Sequence, residues 1–364
     1  MTIESKQKIN QLKIELHTDP TDDSDVFISG NFNNWKHDIS YKMLRIAEGH
    51  YEFTFDDIEN LPQEMEYKYT RGSWQSAEAD NFGCKAPNRS ITKNQAFISD
   101  YVPRWFQNGK SFKEEYLPKI HVIDEAFNIP QLNKTRRVQI LLPCDYDSTT
   151  RRYPVIYLQD GQNLCDWNAA YGNWAIDEKL AVLKEYGKGD IIVVAIDHGE
   201  VSRINEFTPR NEISLGIGQR EGALYLKFMV ETLKPFVDEN YRTLTQSKYT
   251  GIGGSSMGGL ISLFGGVLHP ETFGKVMVFS PSLWIYNDVY EEVKEEGALK
   301  NVELYIYAGG RESKGMLPNL HKLMTNIYAS NQNTTINLVV NPNGTHSESN
   351  WSVAFPEAME WLFY

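Results

Sequence analysis

Apolar residues recur at every second position, or in clusters of strand length, across 12–16, 25–29, 51–55 and 65–70. A period of two marks strands with one buried face. Asp, Asn, Gly and Pro separate these runs, and helical periodicity is absent from 10 to 100. The stretch 1–102 therefore predicts a β-sandwich. Residues 103–120 mix Pro103, Gly109 and Pro118 with charges and aromatics, which predicts a linker lying on a surface. From 121 the pattern changes. Apolar strands are predicted at 137–142, 153–158, 190–196, 248–252, 275–279, 303–307 and 335–340, with amphipathic helices at 176–183, 222–236 and 352–364. Strands apolar on both faces between helices predict an α/β domain over 121–364. Its mainly parallel sheet is covered on both sides, with ligands at the strand carboxyl ends.

Within that domain one stretch carries chemistry. Gly254-Ser255-Ser256-Met257-Gly258 fits Gly-x-Ser-x-Gly, and only Ser256 has glycine at both minus two and plus two. A strand predicted before it and a helix after it make this a nucleophile elbow, where the turn is too tight for larger neighbours. Ser256 is thus the candidate nucleophile and Ser255 a neighbour packed beside the turn.

A serine hydroxyl needs a base, and the base an orienting acid. In α/β-hydrolases the chain order is Ser, acid, His. His269 reads as a helix cap and His321 as a residue on a helix surface. His346, in a loop between the strand 335–340 and the final helix, stands where a base is needed. Glu312, just past the strand 303–307, is the candidate acid, with Asp288 as the alternative. The oxyanion donors are expected to be the N–H groups of Met257 and Gln162, the latter brought close by Gly161. Asp160, Trp174, His198 and Arg203 are expected to line the substrate pocket.

Composition narrows the classes. The formal charge of −12 argues against a nucleic-acid or anionic-membrane partner. No apolar run is long enough to span a bilayer, and the polar N-terminus lacks the apolar core of a secretory leader. A cytoplasmic location is expected, or a periplasmic or secreted one had a leader been removed. Cys84, Cys144 and Cys165 show neither disulfide nor zinc spacing, and no metal or cofactor is implied.

Two resemblances add to this reading. Val26-Phe-Ile-Ser-Gly-Asn-Phe-Asn-Asn-Trp35 and Glu66-Tyr-Lys-Tyr-Thr-Arg-Gly-Ser-Trp74 resemble glycogen- and starch-binding modules of the early-set type. That resemblance implies an immunoglobulin-like sandwich in which Trp35 and Trp74 offer indole faces to a sugar, with Lys68 as a polar contact. Tyr153-Pro-Val-Ile-Tyr-Leu-Gln-Asp-Gly-Gln-Asn-Leu164, Gly172-Asn-Trp-Ala-Ile-Asp177, Gly254-Ser-Ser-Met-Gly-Gly-Leu260 and Gly344-Thr-His346 resemble the esterase family that includes enterochelin-esterase-like enzymes, esterase D and family-1 carbohydrate esterases. Leu164-Cys165 departs from the family pattern, in which an aromatic is often found there. The resemblance implies an α/β-hydrolase fold and a serine carboxylesterase using Ser256, Glu312 and His346. Its expected substrate is a small-molecule or glycan ester, such as an acetylated or feruloylated carbohydrate. A catecholate siderophore ester, or glycan binding by an inactive hydrolase scaffold, are the alternatives.

Overall fold

The computed structural model describes residues 10–19, 24–92, 95–209, 220–330 and 333–364; the polar segment 1–9, read above for a leader, lies outside them. The chain divides into two compact units, Met1–Lys113 and Glu114–Tyr364.

In the first unit, alternation becomes a buried and an outward face. Strand Leu12–Thr18 buries Leu12, Ile14 and Leu16 and turns Lys13, Glu15 and His17 outward. It is central in a four-stranded sheet with Leu44–Ala47, His50–Phe55 and Phe97–Val102. A second sheet of Phe27–Gly30, Glu64–Thr70 and Arg89–Thr92 supplies Ile28, Met65, Tyr67 and Tyr69 to the same core. The predicted linker is largely part of this unit. Arg104–Trp105 pairs with Glu78–Ala79, and Trp105 is buried with its indole N–H donating to Thr18 Oγ1 at 2.8 Å. An aromatic of that size has more to gain from a core than from a tether.

The second unit is built on an eight-stranded sheet. Its strands are β1 (Lys119–Ile129), β2 (Lys134–Leu142), β3 (Val155–Gln159), β4 (Ile192–Ile196), β5 (Thr250–Ser255), β6 (Lys275–Phe279), β7 (Glu303–Gly309) and β8 (Thr335–Asn341). They lie in the order β1-β2-β4-β3-β5-β6-β7-β8. The β1–β2 and β2–β4 pairs are antiparallel and the rest parallel. Strand β1 falls where the linker was expected to end. It is an edge strand with two register shifts and mostly exposed side chains, so its sequence carries no clean alternation.

Strands β3, β4 and β5 are buried along their whole length. Helix Met257–Leu268 packs on β5 and β6, and its residues 257–267 are all buried. A helix apolar on every side belongs in such an interior. The parallel strands β3–β8 all point their carboxyl ends the same way, which gathers the loops carrying the candidate residues. Among the described residues no helix is long and apolar enough to cross a membrane.

Candidate active site

Strand β5 runs straight into Ser256, whose φ of 57° and ψ of −117° lie outside the regions a residue with a side chain prefers. Two glycines permit the turn. A Cβ on Gly254 would stand 2.9 Å from the backbone carbon of Gly258, and one on Gly258 would stand 2.8 Å from Asp160 Oδ2. The strained residue is tied at both ends, since its N–H donates to Phe279 O at 2.9 Å and its carbonyl accepts from Ser282 at 3.1 Å.

The turn aims the hydroxyl at a histidine. Ser256 Oγ lies 3.0 Å from His346 Nε2, and His346 Nδ1 lies 2.7 Å from Glu312 Oε2. Glu312 Oε1 accepts from Ser280 Oγ and from the Gly309 N–H, both at 2.6 Å. Burial alone would raise the Glu312 pKa. The hydrogen bonds from His346, Ser280 and Gly309 outweigh it and hold the carboxyl below the usual glutamate range. Its side chain is 1% exposed, whereas that of His346 is 42% exposed. The acid is enclosed and the base faces solvent. Asp288, the alternative acid, instead sits at the N-cap of the short helix Val289–Glu292. His269 caps Met257–Leu268, and His321 lies exposed on Met316–Ser330, as expected.

Three supporting residues carried no motif. Ser280 Oγ accepts from Trp351 Nε1 at 2.9 Å while donating to Glu312. Trp351 also meets the His346 ring edge-on, with centroids 4.9 Å apart. Ser282 Oγ lies 3.2 Å from Ser256 Oγ, a second partner for the hydroxyl. The only clue in the sequence was position, since Ser280 and Ser282 directly follow a strand end.

A cavity of about 560 Å³ opens at Ser256 and His346, and Asp160, His198 and Arg203 line it with Tyr171, Glu200 and Glu348. Arg203 grips Asp160 with two bonds, Nε–Oδ1 at 2.6 Å and a terminal nitrogen to Oδ2 at 2.8 Å. Burial works against the Arg203 charge, and the Asp160 carboxylate more than offsets it. Burial and the neighbouring Asp160 raise the Glu348 pKa.

Trp174 corrects the expectation of a pocket wall. It is 2% exposed and stacks on Phe279 at 5.4 Å, so its ring serves the core beneath Trp351. Cys165 lines a neighbouring cavity with Gln162 and Arg137, so the departure from family pattern falls outside the cleft. Met257 is the first residue of its helix and Gln162 the second of the 3₁₀ turn Gly161–Asn163. The backbone N–H at each position has no acceptor within its own helix. The Gln162 amide braces the loop, bonding the His198 carbonyl at 3.2 Å and the His198 N–H at 2.9 Å.

In the first unit, Trp35, Lys68 and Trp74 line one cavity of about 510 Å³. The indole centroids are 6.1 Å apart with planes at 48°. Trp74 is 44% exposed and Trp35 half-buried.

The family model described as "Putative esterase" matches residues 129–362. Uncharacterized protein YbbA of Bacillus subtilis is 24% identical over 242 residues, covering 63% of this chain and 92% of that protein. The endo-1,4-beta-xylanase/feruloyl esterase of Xylanibacter ruminicola is 25% identical over 185 residues, 48% of this chain and 22% of that protein. Among solved structures, the enterobactin esterase FES from Shigella flexneri in the presence of enterobactin superposes with a TM-score of 0.55 at 16% identity. The match covers 98% of this chain and 95% of that one, a likeness of fold.

Proposed function

This chain belongs to the esterase family matched over residues 129–362, and from that premise we propose that it hydrolyses acetyl or feruloyl esters of carbohydrates. It is a carboxylic ester hydrolase with an α/β-hydrolase fold. The observation that carries the catalytic reading is the unbroken chain from Ser256 Oγ through His346 to Glu312.

In this reading His346 Nε2 takes the Ser256 proton as Oγ attacks the ester carbonyl. The Met257 and Gln162 N–H groups receive the oxyanion. His346 returns the proton to the departing alcohol, leaving an acyl group on Ser256. Water, deprotonated by His346, then releases the acid and restores the serine. Glu312 keeps Nδ1–H pointed at itself and stabilises the imidazolium.

Two features support a neutral, carbohydrate-linked ester. Asp160 and Arg203 answer each other's charge, which leaves the Glu200 and Glu348 carboxyls facing the cleft, so an anionic iron–catecholate would meet repulsion. Exposed Tyr171 on the cleft wall offers a flat face to a sugar or aryl ring. We further propose that Trp35, Trp74 and Lys68 bind glycan, as their shared cavity supports.

The deciding experiment compares kcat/KM for p-nitrophenyl acetate, acetylated xylo-oligosaccharides, methyl ferulate and a ferric tris-catecholate ester. Acylated sugars or the ferulate are expected to lead by tenfold or more, roughly 1.4 kcal/mol in the transition state. A lead for the catecholate would move the assignment to siderophores, and inertness toward every ester would leave an inactive scaffold.

A further inference from the structure

The outer face of the first unit carries a side-chain cluster that ester hydrolysis does not use. Strand Leu12–Thr18 turns Glu15 and His17 outward two residues apart, and its antiparallel neighbour places His50 directly opposite His17. The two imidazoles stack with centroids 4.4 Å apart and planes at 21°. Glu15 Oε2 lies 4.0 Å from Nε2 of each ring. The other Glu15 oxygen, Oε1, faces Lys13 Nζ at 3.0 Å. The carboxylate thus turns one oxygen to a lysine and the other to both imidazoles. His50 Nε2 is buried and has no hydrogen-bond partner among the described residues. One donor atom from each of the three side chains lies within 4.8 Å of the other two.

From this geometry we infer that Glu15, His17 and His50 form a binding site for a divalent transition-metal cation of the zinc class. Two imidazole nitrogens and one carboxylate oxygen suit Zn²⁺, Ni²⁺ or Cu²⁺, whereas Mg²⁺ and Ca²⁺ prefer all-oxygen shells. Ligands at zinc distances stand roughly 3.3 Å apart in a tetrahedron. His17 is exposed and Glu15 and His50 are half-buried, and ligation requires the stacked rings to turn until the in-plane lone pairs of both Nε2 atoms converge on one point. Water takes the fourth position. Lys13 orients the carboxylate for one-oxygen ligation, and its own charge is answered by Glu52 at 2.7 Å. The ligands come from facing strands, which is why no His or Cys spacing motif announces them. A bound cation would clamp Leu12–Thr18 to His50–Phe55 and stabilise the folded unit by mass action.

The test is isothermal titration of Zn²⁺ into the full-length, tag-free chain after chelator treatment, with thermal unfolding read in parallel. One site per chain is expected at micromolar zinc, with a raised Tm. His17→Ala and His50→Ala are each expected to weaken it by about a hundredfold or more, the upper end of what losing even an outer-shell partner costs. An unchanged far-ultraviolet circular-dichroism spectrum, with cooperative unfolding of the metal-free protein at the wild-type Tm, would show that these variants are folded. Should either fail to fold, Glu15→Gln, which keeps shape and loses charge, gives the same comparison. Co²⁺ absorption in the visible, present in wild type and lost with Glu15→Gln, would mark the ligand set directly. Absence of zinc uptake by the wild type, or uptake unchanged in the variants, overturns the assignment.

Discussion

His346 Nε2 lies 3.0 Å from Ser256 Oγ although 90 residues separate them in the chain. The elbow after β5 supplies one partner and the loop after β8 the other, each placed by a strand end in the same parallel sheet. Because the hydroxyl also stands 3.2 Å from Ser282 Oγ, the serine is positioned from two sides.

That placement distinguishes the two adjacent serines. Ser255 ends β5 and is 6% exposed, while Ser256 carries the strained φ and faces His346. Ser256→Ala is expected to lower kcat for a small ester by on the order of a millionfold, as loss of a serine nucleophile does elsewhere. Ser255→Ala is expected to keep most activity. A dead Ser255 variant beside an active Ser256 variant would reverse the assignment.

Glu312 has a role that pH can expose. Glu312→Ala is expected to cost on the order of 10⁴ in kcat, less than loss of the nucleophile, because the acid orients rather than attacks. The folded state holds its carboxyl below the ordinary glutamate value. The resulting stability is fully present above the unfolded carboxyl pKa and is lost as pH falls through the folded one. The Tm gap between wild type and Glu312→Gln should therefore be widest near neutrality and narrow on acidification. A gap that widens toward acid would show the opposite shift.

How much of this was legible in the sequence follows from local pattern. Strands β2, β3, β4, β6, β7 and β8 announced themselves through apolar runs. The glycine-rich β5, expected at 248–252 and found at Thr250–Ser255, was marked by its place before the elbow, and Gly254 and Gly258 fixed the serine register. His346 followed from chain order. The failures share a cause, which is that tertiary placement carries the information. Strand β1 is an edge whose apolar residues Ile120 and Val122 are exposed and whose register shifts twice, so no alternation marks it, and Trp105 needed a core that composition alone could not locate. Trp174 lies among family-like residues, yet its ring packs on Phe279 instead of the cleft. Glu15, His17 and His50 meet only through strand register.

Ser280 shows what the supporting residues contribute. It is fully buried, donates to Glu312 Oε1 and accepts from the Trp351 indole. Ser280→Ala removes a hydrogen bond to a charged group, worth about 1.5–3 kcal/mol, and leaves the indole N–H unpaired. If roughly 1.4 kcal/mol of that is felt in the transition state, kcat falls about tenfold with KM little changed. Trp351→Phe keeps Ser280 donating to Glu312 and should cost less in kcat. A Trp351→Phe defect larger than that of Ser280→Ala would mean that packing against His346 matters more than the Ser280 bond.

The aromatic pair of the first unit gives the remaining prediction. Asn34 and Trp35 adopt successive left-handed conformations, with φ of 54° and 59°. For a bulky aromatic this is strained by about 1–3 kcal/mol, and the Trp35 N–H is held to Gly30 O at 2.8 Å. Strain of that kind persists only where the surroundings enforce it, and here it presents the indole to the cavity shared with Trp74 and Lys68. Burial lowers the Lys68 pKa, and its ammonium donates to the Ala86 carbonyl. Planes at 48° cannot both lie on one flat ring. They suit successive sugars of a curved chain, as in an α-glucan. Wild type is therefore expected to be retarded in gels containing starch or glycogen, and the Trp35→Ala/Trp74→Ala double variant to migrate as in plain gels. Lys68→Met should fall between them. Hydrolysis of a small soluble ester should be nearly unchanged in all three, because each substitution lies in the first unit and the Ser256 cleft is built entirely from the second. Identical migration of wild type in every gel would exclude glucan binding at the affinities tested and leave the pair a structural element of the sandwich.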